Sequence, residues 1–232
     1  MAPVFSKILP WGRTLREYRA MFALDALPFG WALSEARVLD VGGGPASFTA
    51  EISELGARAL ACDPLYARSA DEIEAAIETA RREIMAVVRR DRERFVWDTF
   101  ESPEVLERVR LGAMARFLAD YEAGRRAGRY RTDALPALDL PDASRDLVLC
   151  SHLLFTYSAQ LDEDFHFAAL VEMARVGAEV RVFPRLDGDG RVSVHLLPLL
   201  VRLRGAGYEA ETPRVPYEFQ RGGNRMLRVR RN

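Results

Sequence analysis

The sequence has few of the features that mark secreted, membrane-spanning or metal-binding proteins. Its 232 residues include two cysteines, Cys62 and Cys150. Each lies in an apolar run typical of a buried strand, so we expect reduced core thiols, with no disulfide and no metal site. No apolar run approaches the roughly 18 residues of a membrane span, and the first residues lack the charged and then apolar pattern of a secretory signal. These absences predict a cytoplasmic protein without a membrane partner.

The sequence also lacks an excess of charge of either sign. Its 33 basic and 34 acidic residues give a formal net charge of -1 at pH 7, whereas a dedicated nucleic-acid binder usually has a clear basic excess. Basic clusters at 125–131 and 225–231 are interpreted as solvated surface, so a nucleic-acid substrate is left open but not favoured. The apolar share of 49% and the charged share of 29% are ordinary for a globular protein of one core.

Short apolar runs alternate with segments of helical periodicity along most of the chain. The strands are expected at 37–41, 59–62, 129–132, 146–150, 179–183, 209–215 and 226–230. Alternation of this kind predicts an α/β protein, with a mostly parallel sheet covered by helices on both faces. Because no helical segment separates the last two runs, the last strand of this Rossmann-like, seven-stranded sheet is expected to be antiparallel.

Two segments fall outside this alternation. Residues 67–127 contain no strand pattern, and Ser102 before Pro103 is typical of a helix N-cap. An ordinary crossover needs little more than about a dozen residues, so we expect a helical insertion after the second strand that forms a lid or a substrate wall. Residues 1–30 are expected to form an N-terminal helical cap, which either folds over a ligand or packs on the sheet edge. Both segments are assigned to a single domain, 1–232.

A glycine-rich turn follows the first predicted strand. Asp40 lies inside that strand, and Gly42–Gly44 with Pro45 connect it to a helix. Strand, glycine turn and helix bring bare backbone N–H groups against a nucleotide-like ligand. The dinucleotide fingerprint requires a third glycine where this chain has Ser47, so the pattern for NAD is incomplete. Asp63, after the second strand, is placed to bind ribose hydroxyls.

These features resemble the class I S-adenosylmethionine-dependent methyltransferases. The run Asp40-Val-Gly-Gly-Gly-Pro45 is similar to the first motif of that family, Asp63-Pro64 to its ribose-binding acid, and Asp133-Ala134 to the pair that meets the adenine amino group. The stretch 138–149 is similar to the family's approach to strand four. The resemblance covers roughly 36–66 and 129–230, and a group of uncharacterised bacterial proteins has similar stretches.

The resemblance implies S-adenosyl-L-methionine as cofactor. The expected cofactor-binding residues are Asp40, Gly42, Gly43, Gly44, Pro45, Asp63, Pro64, Asp133, Ala134, Ser151 and Tyr18. Asp40 is expected to orient the ammonium group of the cofactor or the glycine loop.

Candidates on the acceptor side follow the fourth strand and the last hairpin. His152 lies at the carboxyl end of a parallel strand, where ligands bind, and is expected to act as a base or to pack against the cofactor. Tyr157, His166 and Glu218 are further catalytic candidates. Asp162, Asp164 and His166 are interpreted as helix-start and surface groups in preference to a metal site. Residues 95–97 are interpreted as core in preference to an aromatic wall for the acceptor.

The predicted function is methyl transfer from S-adenosylmethionine to a small or medium-sized acceptor. A small molecule is favoured over a polynucleotide because the net charge is near zero. Three alternatives stay open: a non-catalytic cofactor-binding partner or regulator, an RNA methyltransferase, and an NAD-linked oxidoreductase. A blocked acceptor pocket, filled by Trp97 or Tyr217, would favour the non-catalytic alternative.

Overall fold

The structure, a computed structural model, describes residues 7–26 and 32–231. Its strands are β1 (Arg37–Val41), β2 (Arg58–Cys62), β3 (Tyr130–Arg131), β4 (Arg145–Ser151), β5 (Gly177–Phe183), β6 (Tyr208–Glu211) and β7 (Leu227–Arg231). Its α-helices are α1 (Leu15–Phe22), α2 (Phe48–Glu54), α3 (Ala70–Arg90), α4 (Pro103–Arg126), α5 (Glu163–Val176) and α6 (Leu196–Gly205).

The seven strands form one sheet in the order β3-β2-β1-β4-β5-β7-β6. The first five strands of that order pair in parallel, and β7 runs antiparallel to both of its neighbours. This arrangement confirms the predicted α/β fold class and the antiparallel last strand. The parallel strands bring their carboxyl ends to one edge of the sheet, where β1 and β4 stand side by side.

Both faces of the central strands are buried. In β1, Leu39 packs into the apolar cluster that includes α5 and α6, while Val38 packs into the cluster that includes α1 and α2. Val148 and Leu149 divide in the same way in β4. Strands that are buried on both faces have continuous apolar sequences, so the boundaries of β1 and β4 could be predicted closely from their apolar runs.

Helices α3 and α4 lie between β2 and β3 in the chain and pack on each other. Ser69 begins α3 with a capping box. Ser102 caps α4 directly before Pro103, and this N-cap was predicted. The buried face of α4 includes Arg110 among apolar residues. Among the described residues, none of the helices is both long and apolar enough to cross a membrane.

The strand boundaries differ from expectation near the ends of the sheet. β6 ends at Glu211, four residues before the predicted end at Val215, because Pro213 has no N–H to donate to a partner strand. Beyond it, an isolated bridge joins Arg214 to Arg225. The parts of the predicted N-terminal cap at 1–6 and 27–30 lie outside the described residues, and the role of 67–127 as a lid stays a prediction.

Candidate active site

A cavity of about 610 Å³ lies at the carboxyl ends of β1, β2, β4 and β5. Its floor includes the glycine loop, Asp63, the Ser151–His152 pair and Phe183. Its other walls come from residues 7–11, from α3 and from the hairpin around Phe219. A volume of this size suits a drug-sized ligand, and the position matches the edge at which open α/β sheets bind ligands.

The glycine loop leaves room for a ligand beside its backbone. Gly42 and Gly44 have positive φ angles of 66° and 51°, and the Gly42 N–H donates to the Cys62 carbonyl at 2.8 Å. A Cβ on Gly44 would approach only Asp63 Oδ2, at 3.9 Å, and would otherwise meet open space. Gly44 therefore forms part of a cradle that a side chain would fill.

Asp63 connects the glycine loop to the segment after β2. Its Oδ2 accepts from the Gly44 N–H at 3.0 Å, and its Oδ1 accepts from the Leu65 N–H at 2.8 Å. Burial raises the pKa of this half-buried carboxyl above its ordinary value. Each carboxylate oxygen has a second lone-pair direction, so Asp63 has capacity for two hydroxyl donors in addition to its backbone contacts.

Asp40 lies behind the loop and does not line the cavity. It is 1% exposed, its Oδ2 accepts from the Tyr18 hydroxyl at 2.9 Å, and its Oδ1 has no partner among the described residues. Burial, the largest influence, raises the pKa of Asp40 to about 7. Tyr18 does line the cavity, so Asp40 contacts a ligand only through Tyr18 or through the glycine loop.

Asp40→Asn is expected to stabilise the protein more at pH 8 than at pH 5. Because the pKa of Asp40 is raised from 3.8 to about 7 in the folded state, the wild type loses stability as the pH rises from about 4 to 7, where the unfolded carboxyl is ionised and the folded one holds its proton; the amide incurs no such loss. The gain at pH 8 is expected to be on the order of 2–4 kcal/mol, measured by urea unfolding at both pH values. Asp139→Asn is the control, because the Asp139 side chain is 99% exposed. An equal effect of Asp40→Asn at both pH values would contradict the raised pKa.

His152 has the geometry of a functional position. Its φ of 52° is unusual for a residue with a side chain, and it is maintained by a hydrogen bond from its N–H to the Phe183 carbonyl at 2.6 Å. Nδ1 lies 3.0 Å from the Ser151 Oγ, so Nε2 is the nitrogen available to a ligand. Burial, and then the charges of Arg13 and Arg110, lower the pKa of His152 well below its ordinary value. The imidazole is therefore neutral at pH 7.

The structure brings most of the expected cofactor and catalytic residues to one cavity. The predicted residues that line it are Tyr18, Gly42, Gly43, Gly44, Asp63, Pro64, Ser151, His152 and Tyr157. The predicted residues that are not part of its lining are Asp40, Pro45, Asp133, Ala134, His166 and Glu218. Tyr157 is buried in the wall, where its hydroxyl accepts from the Leu9 N–H at 2.9 Å.

The residues outside the lining have other contacts. Asp133 accepts from Arg131 at 2.7 Å and from the Asp139 N–H at 2.9 Å, and the bond to Arg131 lowers the pKa of Asp133. His166 is buried beside His195, with ring centroids 4.8 Å apart. Glu218 accepts from the Gly222 N–H and from Asn224, both at 2.7 Å, so it closes the hairpin turn.

The prediction that 162–166 holds helix-start and surface groups agrees with the contacts of Asp162 and Asp164 and is wrong for His166, which is buried. Asp162 caps α5 by accepting from the Phe165 N–H at 2.8 Å, and Asp164 pairs with Arg202 at 2.8 Å. Among the residues that the structure describes, no group of three His, Cys, Asp or Glu side chains is arranged to hold a metal ion.

A cluster beside the cavity, formed by the buried residues Glu17, Arg110 and Tyr217 and the half-buried Arg13, was not predicted from the sequence. Arg110 donates to the Glu17 carboxylate at 2.6 Å, and the Tyr217 hydroxyl donates to it at 3.0 Å. Arg13, Arg110 and Tyr217 line the cavity. Positions 103, 106, 110, 113, 117 and 121 share the buried face of α4 at helical spacing. An arginine at position 110 of this otherwise apolar face is the sequence feature that could have predicted a buried ion pair.

Comparisons with known proteins give one sequence relative and several structural neighbours. No protein-family model matches the chain. The uncharacterized protein MJ0045 of Methanocaldococcus jannaschii is 29% identical over 224 residues, 95% of each chain. Magnesium protoporphyrin IX methyltransferase (ChlM) from Synechocystis PCC 6803 with bound SAH is a structural neighbour at 12% identity and a TM-score of 0.51, covering 94% of this chain and 84% of that one. A TehB-like SAM-dependent methyltransferase from Corynebacterium glutamicum, at 15% identity, has a TM-score of 0.43 and covers 94% and 95%.

The likeness to ChlM shows the fold. The chain therefore has the Rossmann-like fold of the class I S-adenosylmethionine-dependent methyltransferases. The relative in M. jannaschii is archaeal, so the similarity is not confined to bacteria.

Proposed function

We propose that the protein binds S-adenosylmethionine and transfers its methyl group to a small or medium-sized acceptor. One observation carries the proposal. A single cavity extends from the glycine loop and Asp63 to apolar walls formed by α3 and by the hairpin at Phe219. One end of this cavity suits a polar nucleoside ligand, and the other suits a second, apolar molecule.

The residues at the polar end fit the cofactor. The space beside Gly44, which a Cβ would occupy, admits a ligand close to the backbone, and Asp63 has lone pairs for the two ribose hydroxyls. Asp133 lies outside the cavity lining and is bonded to Arg131, so it is not among the residues that support this fit. When bound, the cofactor supplies a methyl group that its positive sulfur makes electrophilic.

The chain's own contribution is to orient the acceptor and to handle its proton. Alignment of two reactants supplies a large part of the rate in transfers of this kind. We assign to His152 the role of accepting a proton from an acceptor that must lose one, because its imidazole is neutral, lines the cavity and has Nε2 available. Tyr157 is assigned to the wall, since its hydroxyl is bonded to the Leu9 N–H.

The open cavity favours an enzyme over a non-catalytic binder. Trp97 is not part of the lining, and its indole N–H donates to the Arg92 carbonyl at 3.0 Å. Tyr217 lines the cavity, but its hydroxyl is held by Glu17 in the wall. Neither side chain fills the space in front of the glycine loop.

Calorimetry tests this proposal directly. Titration of the protein with S-adenosylhomocysteine is expected to give saturable binding, and titration with NAD is expected to give none at the same concentrations. Tight binding of NAD with no signal from S-adenosylhomocysteine would overturn the proposal in favour of redox chemistry. For an RNA substrate, binding of a mixed RNA pool should weaken steeply as salt rises, and a flat salt dependence would count against it.

Gly44→Ala is expected to weaken binding of S-adenosylhomocysteine by at least about tenfold, because its methyl group enters the cradle. The cost in stability is expected to be only about 1–2 kcal/mol, since φ of 51° is a left-handed conformation that alanine tolerates at that cost. Calorimetry and chemical unfolding measure the two effects separately.

Gly112→Ala is the matched control. It lies within α4, and a Cβ there meets nothing within 4 Å. Its affinity for the cofactor product should equal that of the wild type. Full affinity in Gly44→Ala as well would show that the cradle is not occupied by this ligand.

A further inference from the structure

The charged residues that line the cavity are mostly cations. Among the described lining residues, five are basic and one is acidic. The basic residues are Lys7, Arg13, Arg68, Arg94 and Arg110, and the acid is Asp63. Asp63 lies at the glycine loop, so the remainder of the cavity presents only positive formal charges. A cleft lined by one sign of charge concentrates ligands of the opposite sign.

Three of these cations have their charge matched by the protein, and a fourth, Arg68, is exposed to solvent. Arg110 pairs with Glu17 at 2.6 Å, and Lys7 pairs with Glu83 at 2.9 Å. Arg94 lies 3.4 Å from the Asp91 carboxylate and donates to the Gly188 carbonyl at 3.0 Å. These pairs leave little need for an external anion at their positions.

Arg13 differs from them. Its Nη1 donates to the Trp11 carbonyl at 3.0 Å, and its Nε is buried without a partner among the described residues. The nearby Glu17 carboxylate already accepts from Arg110, Tyr217 and Thr14. Burial, and then the charge of Arg110, lower the pKa of Arg13 to about 10, so it stays protonated at pH 7. A buried N–H without an acceptor costs free energy, and an anionic ligand in the cavity would supply both the missing acceptor and a counter-charge.

The rest of the wall is apolar. Ala80, Ile84, Val87 and Val88 of α3 line the cavity, together with Phe95 and Phe219. The interpretation of 95–97 as core is therefore wrong for Phe95, which is part of the wall. The rings of Phe95 and Phe219 stack with centroids 4.8 Å apart. Phe100 packs on Phe219 from behind, at 5.3 Å. A ligand in this space buries an apolar body against α3 and the aromatic pair.

We propose that the acceptor is an amphipathic acid: an apolar molecule carrying a carboxylate or a similar oxyanion, which pairs with Arg13 while its apolar body packs against α3 and the Phe95–Phe219 pair. This inference rests on the proposed function, because it names the substrate class of the same cavity. Arg13 is a binding residue here, and its guanidinium offers two parallel N–H donors to an oxyanion.

A series of ligands with one tail and different head groups tests the proposal on the wild-type chain. Decanoate, decyl phosphate, decan-1-ol and decylamine are titrated by calorimetry, each with and without saturating S-adenosylhomocysteine. The two anions are expected to bind at least tenfold more tightly than the alcohol, with the amine weakest. Equal binding of the four, or no binding of decanoate, would overturn the proposal whether or not any variant folds.

Variants then locate the head group. Arg13→Met is expected to lose the preference for decanoate over decan-1-ol, while its affinity for S-adenosylhomocysteine stays within about twofold of the wild type. Arg13→Lys should retain part of the preference. Arg126→Met, at an exposed position of α4, is the control and should leave both affinities unchanged.

The two ligands separate the possible failures. If Arg13→Met weakens S-adenosylhomocysteine by more than tenfold and leaves decanoate unaffected, Arg13 binds the carboxylate of the cofactor, and the inference about the acceptor is overturned. If the wild type binds decanoate but not S-adenosylhomocysteine, the proposed function fails, and with it the assignment of the anion as a methyl acceptor.

Discussion

Asp63→Ala is expected to lower the affinity for S-adenosylhomocysteine by at least about 100-fold. Hydrogen bonds to a charged group contribute about 1.5–3 kcal/mol each, and in the proposed cofactor site Asp63 accepts from two ribose hydroxyls. The same carboxylate also accepts from the Gly44 and Leu65 N–H groups. Its removal therefore loosens the loop in addition to removing the ligand contacts. Calorimetry of the purified variant measures the loss.

Asp63→Asn separates the two roles of this residue. An amide oxygen can still accept from the Leu65 N–H, at the start of the 3-10 turn Pro64–Ala67. The amide carries no charge, so its affinity for the ligand should fall between those of the wild type and of Asp63→Ala. Circular dichroism and unfolding are expected to show a folded protein in both variants, with a cost for alanine of about 1–2 kcal/mol. An affinity of Asp63→Ala within about threefold of the wild type would reject Asp63 as the ribose-binding acid.

Glu17→Gln is expected to destabilise the protein by about 3–5 kcal/mol, the range for breaking a buried ion pair from one side. Glu17 is 3% exposed and Arg110 is 1% exposed, so the remaining guanidinium cannot recover its hydration. Arg13 lies beside the same pair, so the loss of Glu17 also leaves the repulsion between Arg13 and Arg110 without a nearby negative charge. Urea unfolding at pH 7 measures the change.

Glu72→Gln is the matched control for Glu17→Gln. Both glutamates complete a capping box, Glu17 with Thr14 at the start of α1 and Glu72 with Ser69 at the start of α3. Glu72 is exposed, so its replacement should cost no more than about 1 kcal/mol. The double variant Glu17→Gln, Arg110→Met is expected to be more stable than Glu17→Gln alone, because it removes the uncompensated charge. Equal costs at positions 17 and 72 would show that burial of the pair contributes nothing.

The sequence predicted the features that depend on local pattern. Buried parallel strands are short apolar runs, and this placed β1 and β4 within one residue of their observed ends. The glycine loop was recognisable because the residues that permit its positive φ angles, Gly42 and Gly44, lie in one consecutive run of the sequence. Ser102 and Pro103 likewise predicted the start of α4, because an N-cap and the proline after it are adjacent in sequence.

Features that depend on distant partners were not visible. Glu17 and Arg110 lie 93 positions apart, and each alone resembles an ordinary surface residue of an amphipathic helix. The contact of Asp133 with Arg131 also could not be predicted from spacing, because the sequence Asp133-Ala134 is the same with or without it. Glu218 and His166 are plausible reactive groups in the sequence alone. In the structure, Glu218 bonds to the hairpin turn, and His166 is buried at the start of α5.

Helix α1 connects the glycine-loop end of the cavity to α4 and the hairpin through hydrogen bonds. Tyr18 bonds to Asp40 beneath the glycine loop, while Glu17 bonds to Arg110 of α4 and to Tyr217 of the hairpin. A ligand that restrains this helix from one end lowers the ordering cost for a ligand at the other. Reciprocity then requires each ligand to raise the affinity of the other by the same factor. The order in which the two ligands bind can change the rates of binding, but it leaves the total free energy of forming the complex with both ligands unchanged.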